Sequence, residues 1–355
     1  MPVQVSQPSP EFQIGFLADT QRLFEAGSFV ATYKYALLLA LADLSVELGN
    51  DSGEPLHLPL DAIAEKFVEY YWDQCRDFIP PDTDKACVLR QNTGKQAAVI
   101  RAVLQIRQRG DGRIATLRKS PQQWRELIAE VGKTVQAMPL WKLQVIGPNQ
   151  ESFLYKNELT QSGILLKPGV AFCFRRYRAL IGDLIRGAWV RYIRRFNGEA
   201  LGDAMDLHDF LFGSQRQGLR AVAPVLFEAQ EGRCLYTQSK LAAPEDGEVD
   251  HFIPFSRYAH DSGFNLVLAS KGANGQKSDH LAAEQHLERW IRRNREHTRL
   301  LEQGFESVRI PANLSQTERI ARWIYTQHAE SQTPAWLSGR LADVPLAGQW
   351  AEWLD

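Results

Sequence analysis

Four polar residues in the second half of the chain have types and spacing that suit acid–base and metal chemistry. Asp250 and His251 are adjacent, Asn265 follows fourteen residues after His251, and Asn274 follows nine residues later. A neutral imidazole with a pKa near the working pH suits a general base, so we assign that task to His251. A carboxylate and an amide oxygen, with other positions left to water, favour Mg²⁺ or Mn²⁺. Asp250 and Asn274 are therefore the predicted metal ligands.

The elements that must position these residues are two short strands and a helix. An apolar strand delivers Asp250 and His251, and adjacent strand residues point to opposite faces unless the strand ends there. Pro254 supports such an ending. Asn265 opens a second strand over Leu266–Ala269, and Asn274 stands near the predicted start of a helix. The order is strand, loop, strand, helix.

Residues 230–284 resemble the ββα-metal finger (His-Me finger) of HNH endonucleases, with Asp250-His251, Asn265 and Asn274 at the motif positions. The segment looks most similar to HNH domains inside RNA-guided CRISPR effector nucleases, which share the Cys-Leu-Tyr lead-in and the Asn-x-x-Lys-Ser-Asp ending. The chain has no room for the partner nuclease domain of those effectors, so a guide-RNA mechanism does not carry over. Stand-alone bacterial HNH proteins with a helical N-terminal half are the better comparison.

The resemblance implies metal-dependent hydrolysis of phosphodiester bonds at one divalent ion, leaving 5′-phosphate and 3′-hydroxyl ends. It also implies that Asn265 holds the loop so that His251 stays oriented. Several stand-alone HNH proteins act in restriction or phage defence, and the resemblance extends that expectation to this chain.

Three further residues of the segment have weaker assignments. Lys277 lies one helical turn after Asn274, and we expect it to meet a phosphate oxygen and assist catalysis. Arg257 is a candidate contact to the nucleic-acid backbone, although a solvent-exposed or acid-paired arginine is the competing interpretation. His280 is a further candidate metal ligand.

Many HNH domains brace their hairpin with zinc held by two Cys-x-x-Cys pairs, and this chain departs from that pattern. Cys234 occupies one ligand position, but Thr237, Ser270 and Ala273 occupy the other three. Four thiolates cannot be assembled from these residues, so no structural zinc is expected. Apolar packing is predicted to replace the metal brace.

The formal net charge of −1 conceals a basic stretch between residues 175 and 195. Arg191, Arg194 and Arg195 at its end are candidate nucleic-acid contacts, because each neutralised phosphate releases counterions. The alternative is that these arginines pair with acids of neighbouring elements. Scattered cysteines, no signal-like segment at Met1–Glu11 and no apolar membrane span favour a cytoplasmic protein.

The chain as a whole, with 355 residues of which 44% are hydrophobic, is predicted to be α+β, a mainly helical body with an embedded ββα-metal module. The predicted parts are a helical domain over 1–138, a hairpin and a basic long helix over 139–229, the nuclease module over 230–284 and C-terminal helices over 285–355. Specific predictions include a helix over Pro121–Ala137, a hairpin within 140–155, and single helices over 170–196 and 284–303.

The sequence leaves three functions open. The first is an endonuclease that cuts DNA, whose helical N-terminal half chooses the substrate or contacts a partner protein. The second is a nucleic-acid-binding or scaffold protein that keeps the finger without turnover. The third is an HNH nuclease that cuts RNA, since the finger contacts phosphate and sugar more than base edges.

Overall fold

The computed structural model describes residues 7–27, 30–79, 86–94, 96–146, 149–158, 162–201, 207–213, 219–259, 262–339 and 343–354. The chain divides into two compact units, residues 1–213 and residues 214–355. The predicted division into four parts stays a prediction. Each unit is α+β and mainly helical, as the sequence predicts, with strands that form only two-stranded antiparallel sheets in the described residues.

The N-terminal unit consists of helices with two small sheets. Its helices are α1 (Pro10–Ala26), α2 (Tyr33–Leu48), α3 (Leu60–Gln74), α4 (Ala98–Gln108), α5 (Ile114–Arg118), α6 (Pro121–Ala137), α7 (Pro139–Lys142), α8 (Val170–Arg176), α9 (Arg178–Leu201) and α10 (Leu207–Phe212). Strand β1 (Leu56–Pro59) pairs with β4 (Gly163–Leu166), and β2 (Val145–Ile146) pairs with β3 (Asn149–Gln150).

Helix α2 is central to this unit and packs against α3, α8 and α9. Every residue from Lys34 to Glu47 is buried, so the helix is enclosed around its whole circumference. Two of the buried residues are acids, and each meets a cation from another helix. Asp43 pairs with Arg178 of α9, and Glu47 lies 2.7 Å from the ammonium of Lys66 of α3. Because an unpaired buried charge costs several kcal/mol, these pairs allow α2 to occupy the core.

Some predicted elements of this unit are confirmed and others are wrong in extent. Helix α6 runs over the predicted residues 121–137. The hairpin within 140–155 exists, but it is only two residue pairs long and its first residues belong to α7. The helix predicted over 170–196 is two helices broken at Tyr177, and Asn197 interrupts the second one. Arg175 and Arg178 flank the break, and both turn inward to acids, Asp51 and Asp43.

The C-terminal unit carries the site. Its helices are α11 (Ala223–Ala229), α12 (Lys271–Lys277), α13 (Glu284–Glu296), α14 (Thr298–Ser307), α15 (Leu314–Glu330) and α16 (Trp350–Trp353). Strands β5 (Gly247–His251) and β6 (Leu266–Ser270) pair in antiparallel orientation. The helix predicted over 284–303 is broken at His297 into α13 and α14.

An apolar cluster supports the β5–β6 hairpin on one side. Leu266 and Leu268 of β6 pack in it with residues of α11 and α14, including Leu226 and Phe305. The ring of Phe252, directly after β5, stacks on Trp290 of α13 with centroids 4.7 Å apart. Burial of such side chains contributes about 1.5–3 kcal/mol each, so this packing stabilises the hairpin. Within the described part of the chain, no helix combines the length and the apolar character needed to cross a membrane.

Candidate active site

Strands β5 and β6 and helix α12 form the frame of the candidate site. Asp250 lies opposite Val267 in the antiparallel pair, and α12 packs on both strands. Side chains alternate along a strand, so Glu248 and Asp250 share one face, while Val249 packs against the apolar cluster on the other. The frame thus presents two carboxylates on the same side of β5.

Asp250 is held by two neighbours at one of its oxygens. The hydroxyl of Tyr236 donates to Oδ2 over 2.6 Å, and the ammonium of Lys277 lies 3.0 Å from the same atom. Burial and the Asp250 carboxylate raise the pKa of Tyr236 well above its ordinary value, so the phenol stays a donor. Neither of these contacts goes to Oδ1, and the side chain is 13% exposed. Tyr236 and Lys277 therefore both meet Oδ2 and leave Oδ1 without a contact from either of them.

Lys277 is buried completely at the end of α12. Besides Asp250, its ammonium donates to the main-chain oxygen of His251 over 2.8 Å. Burial lowers the pKa of Lys277, and the Asp250 carboxylate opposes that shift. The predicted contact of Lys277 with a phosphate oxygen stays untested, but its ammonium here lies inside the unit and ties Asp250 and His251 together.

Asn274 is the fourth residue of α12, so the helix begins earlier than the prediction that Asn274 stands at its start. Its Nδ2 donates to Oε2 of Glu248 over 2.8 Å. The sequence reasoning missed Glu248. The signal was present, because Glu248 precedes Asp250 by two residues and the strand period is two.

Asn265 is fully buried and clasps the segment that follows β5. Its Oδ1 accepts from the main-chain N–H of Ile253 over 2.8 Å, and its Nδ2 donates to the carbonyl of the same residue over 3.1 Å. The main-chain oxygen of Asn265 also accepts from Phe252. These contacts fix the chain directly after His251.

His251 is the last residue of β5, as the sequence predicts, and is 9% exposed. Its ring lies 5.4 Å from the ring of Phe255, measured between centroids. Its backbone is fixed on three sides: by the pairing with β6, by Lys277 at its carbonyl, and by the Asn265 clasp on the next two residues.

Two sequence families match the chain. Residues 19–211, more than half of the chain, match the domain of unknown function DUF8808. The chain belongs to that family. Residues 234–283 match the HNH endonuclease family and form an HNH endonuclease domain, as the motif predicts. Comparisons with curated proteins and with solved structures give no match.

Two of the predicted residues of the HNH domain have partners outside the site. The Nε of Arg257 donates to the carbonyl of Asp279 over 2.9 Å, and burial lowers the pKa of Arg257. The half-exposed ring of His280 pairs with the carboxylate of Asp343 at 3.0 Å. The contact of Arg257 with nucleic acid and the alternative of His280 as a ligand are not tested by these contacts.

The positions that hold zinc in many HNH domains lie together here around one sulfur. The main-chain N–H of Thr237 lies 3.5 Å from the Cys234 sulfur, and Ser270 also bonds to it. Burial raises the pKa of the Cys234 thiol, but the hydrogen bonds from Thr237 and Ser270 outweigh it and leave the pKa below its ordinary value. Ala273, the fourth position, offers only a methyl group. This set of atoms does not fit structural zinc.

The expected metal ligands of the HNH site are oxygen donors, unlike the thiolates of a zinc brace. In the described residues no three His, Cys, Asp or Glu side chains cluster to hold an ion, so any ion depends on few protein ligands and on water. Oδ1 of Asp250 and the amide oxygen of Asn274 are hard oxygen donors of the kind Mg²⁺ and Mn²⁺ accept. Glu248 and Asp250 together carry more negative charge than Lys277 offsets.

The predicted basic contacts Arg191, Arg194 and Arg195 lie on α9, inside the DUF8808 region, and all three are exposed. Other arginines of the same stretch serve the fold, since Arg175 and Arg178 are buried against acids. The stretch therefore contains both kinds of arginine that the sequence left open.

Proposed function

We propose that this protein is a divalent-metal-dependent endonuclease that hydrolyses phosphodiester bonds of DNA, with His251 as the general base. The observation that carries the proposal is Asp250, whose described side-chain contacts, from Tyr236 and Lys277, both go to Oδ2 and not to Oδ1. An ion ligand must offer a lone pair that the protein has not used, and Oδ1 supplies one.

Asp250 and Asn274 would hold Mg²⁺ or Mn²⁺, and Lys277 would keep the carboxylate in place. Bound there, the ion would offset charge on the scissile phosphate and on the leaving oxygen. Asp250 supplies the charged ligand, and Asn274 supplies a neutral one. Lys277 acts from inside the unit, so its catalytic contribution is to hold Asp250 and the backbone of His251.

His251 would take a proton from the attacking water at a ring nitrogen. The water oxygen then bonds to phosphorus while the bond from phosphorus to the 3′ oxygen of the sugar breaks. The 3′ oxygen leaves with the electron pair and takes a proton from a solvent water, which gives 5′-phosphate and 3′-hydroxyl ends. Asn265 keeps the imidazole oriented by fixing Ile253, two residues further along the chain. A preorganised base of this kind contributes about 10²–10⁴-fold to the rate.

The DUF8808 region would supply substrate contacts or a partner-binding surface. Arg191, Arg194 and Arg195 are exposed on one helix there and suit a phosphate backbone. Arg257 would add a backbone contact from the HNH domain. We place the protein in the cytoplasm, where its four free cysteines stay reduced, with a role in restriction or phage defence.

A second candidate function is a nucleic-acid-binding scaffold without turnover, and one observation favours it. The ammonium of Lys277 already lies on Asp250, where it neutralises the carboxylate in place of a metal ion. A protein that had lost its metal ion would gain stability from the ion pair of Lys277 with Asp250. This candidate predicts DNA retention without cutting under any divalent ion.

Digestion of plasmid DNA and of single-stranded RNA, each with Mg²⁺ or Mn²⁺, tests the proposal. We expect DNA cutting that falls about 10²–10⁴-fold in the His251→Ala variant. His208→Ala, at an exposed histidine of α10, is the matched control and should cut like the wild type. Equal cutting by His251→Ala would reject His251 as the base. Retention of DNA with no cutting would favour the scaffold, and cutting of RNA alone would change the substrate.

A further inference from the structure

Glu248 contacts the predicted metal ligand Asn274 and has no part in the mechanism above. We propose that Glu248 is a positioning residue, which turns the side-chain oxygen of Asn274 toward the divalent ion. The inference rests on the proposed metal site and deepens it.

The chemistry of the two side chains fixes the orientation. An amide group has a donor end and an acceptor end, whereas a carboxylate only accepts. The 2.8 Å contact between Oε2 of Glu248 and Asn274 therefore requires the Nδ2 end on this side and leaves Oδ1 on the other. A half-turn of the amide would place two oxygens against each other. A cation binds the oxygen and not the NH₂ group, so only one of the two orientations can hold an ion.

The contact also belongs to a pair of parallel contacts between β5 and α12. Glu248 and Asp250 are two residues apart on one strand face, and Asn274 and Lys277 are three residues apart on one helix face. Glu248 meets Asn274 at 2.8 Å, and Asp250 meets Lys277 at 3.0 Å. The two contacts fix the register of helix on strand, with Asn274 against Glu248 and Lys277 against Asp250.

The charges of the same four residues favour a cation. Glu248 and Asp250 each carry a negative charge, and Lys277 carries a single positive one. An excess of negative charge remains on the face that Asn274 shares. Glu248 therefore attracts the ion in addition to orienting the amide.

Mn²⁺ binding to the full-length protein, measured by electron paramagnetic resonance without substrate, tests the inference. We expect Glu248→Ala to weaken binding about 10–100-fold, the usual loss when a residue behind a metal ligand is removed. Glu248→Gln keeps an acceptor for Asn274 and should therefore lose less Mn²⁺ affinity than Glu248→Ala. In an Asn274→Asp background either oxygen can bind the ion, so adding Glu248→Ala should cost only the part due to the charge of Glu248, a smaller loss than in the wild-type background.

Controls separate this inference from the proposed function. Glu302→Ala removes an exposed carboxylate of α14 and should bind Mn²⁺ like the wild type, and thermal melts verify that each variant folds. Wild-type affinity in Glu248→Ala, or an equal loss in both backgrounds, would overturn the positioning role while leaving the metal site intact. Wild-type affinity in both Asp250→Ala and Asn274→Ala would overturn the metal site and the inference together.

Discussion

Asp43 of the N-terminal unit and Asp250 of the HNH domain have the same kinds of neighbour but different geometry. Each accepts from a tyrosine hydroxyl and pairs with a cation. At Asp43 the two partners take different oxygens: Tyr70 donates to Oδ2 over 2.5 Å, and Arg178 donates to Oδ1 over 2.6 Å. Both oxygens of this carboxylate therefore accept hydrogen bonds from side chains of the protein.

At Asp250 the two partners share one oxygen. Tyr236 and Lys277 both meet Oδ2, so the carboxylate is held in place while Oδ1 receives neither contact. The comparison teaches that residue type, burial and charge pairing are alike at these two aspartates. They differ in how their partners are distributed over the two oxygens, and the proposed ion would need a lone pair that the fold has not used.

The largest expected effect is on cutting by the Asp250→Asn variant. The substitution keeps the shape of the side chain but removes the charged ligand of the ion. Removing a residue behind a ligand costs roughly 10–100-fold, and removing the ligand itself should cost more, about 10³-fold. Single-turnover cleavage of plasmid DNA in Mn²⁺ measures it.

Asp43→Asn is the matched control for that variant, because each substitution leaves a buried cation without its counter-charge but only Asp250→Asn should lower cutting per folded molecule. Asp43→Asn leaves the guanidinium of Arg178 buried without a counter-charge, which costs about 3–5 kcal/mol of stability. Urea unfolding, with hydrogen exchange in α2 to assign the transition, measures the loss. Cutting per folded molecule should not change, and a folded Asp43→Asn protein that no longer cuts would contradict the comparison.

A smaller effect is expected on the acid sensitivity of the C-terminal unit, where His286 is buried against the ring of Tyr236. Burial, with help from Arg289, lowers the pKa of His286 from 6.5 to about 4. Between these two pH values, His286 is protonated in the unfolded chain but stays neutral in the folded one. Stability from this group is therefore complete above pH 6.5 and falls by roughly 3 kcal/mol as the pH approaches 4.

Thermal melts of the wild type and of His286→Asn between pH 8 and 4.5 check this prediction. In the C-terminal unit, the melting temperature of the variant should depend less on pH than that of the wild type. The dependence that remains is due to His328, whose pKa is also lowered by burial. The N-terminal unit has two histidines, His57 and His208, and both are exposed. His57→Asn should leave the dependence unchanged, and equal slopes for wild type and His286→Asn would reject the assignment.

The smallest effect is expected from the exposed arginines of α9. In a His251→Ala background that prevents cutting, replacing Arg191, Arg194 and Arg195 together by alanine should weaken retention of duplex DNA. It should also lower the slope of log affinity against log salt by roughly 2–3, because each phosphate contact contributes about 0.9. Fluorescence anisotropy at several salt concentrations measures both quantities.

Arg186→Ala is the control for those arginines, because Arg186 already pairs with Asp183 one turn earlier at 2.8 Å. It should leave the salt slope unchanged. If the triple variant binds DNA like its parent, the exposed arginines serve another partner. The contrast between Arg178, which supports the fold, and its exposed neighbours on the same helix would then need another explanation.

Secondary structure was predicted correctly where residues close in sequence determine it. Helix α6 begins at the proline that follows Ser120, and β5 ends at His251 before Pro254, as the local sequence indicates. The HNH motif itself spans a short segment with fixed spacing, so its family follows from the sequence alone.

Prediction failed where distant partners decide the structure. Periodicity continued a helix through Tyr177, but two inward-facing arginines with acids on distant segments accompany the break there. The contact of Glu248 with Asn274 joins residues 26 positions apart. The contact of Lys277 with Oδ2 of Asp250 also joins residues that are distant in sequence. No local pattern specifies such contacts.

The clasp that Asn265 makes on Ile253 has a consequence for how the loop between these residues can vary. Both backbone polar groups of Ile253 are satisfied by one side chain, so the two ends of the intervening loop are tied together irrespective of its length. Insertions or exchanges inside this loop should leave the strand register untouched. The proposed site residues Asp250 and His251 should therefore keep their positions when this loop is altered.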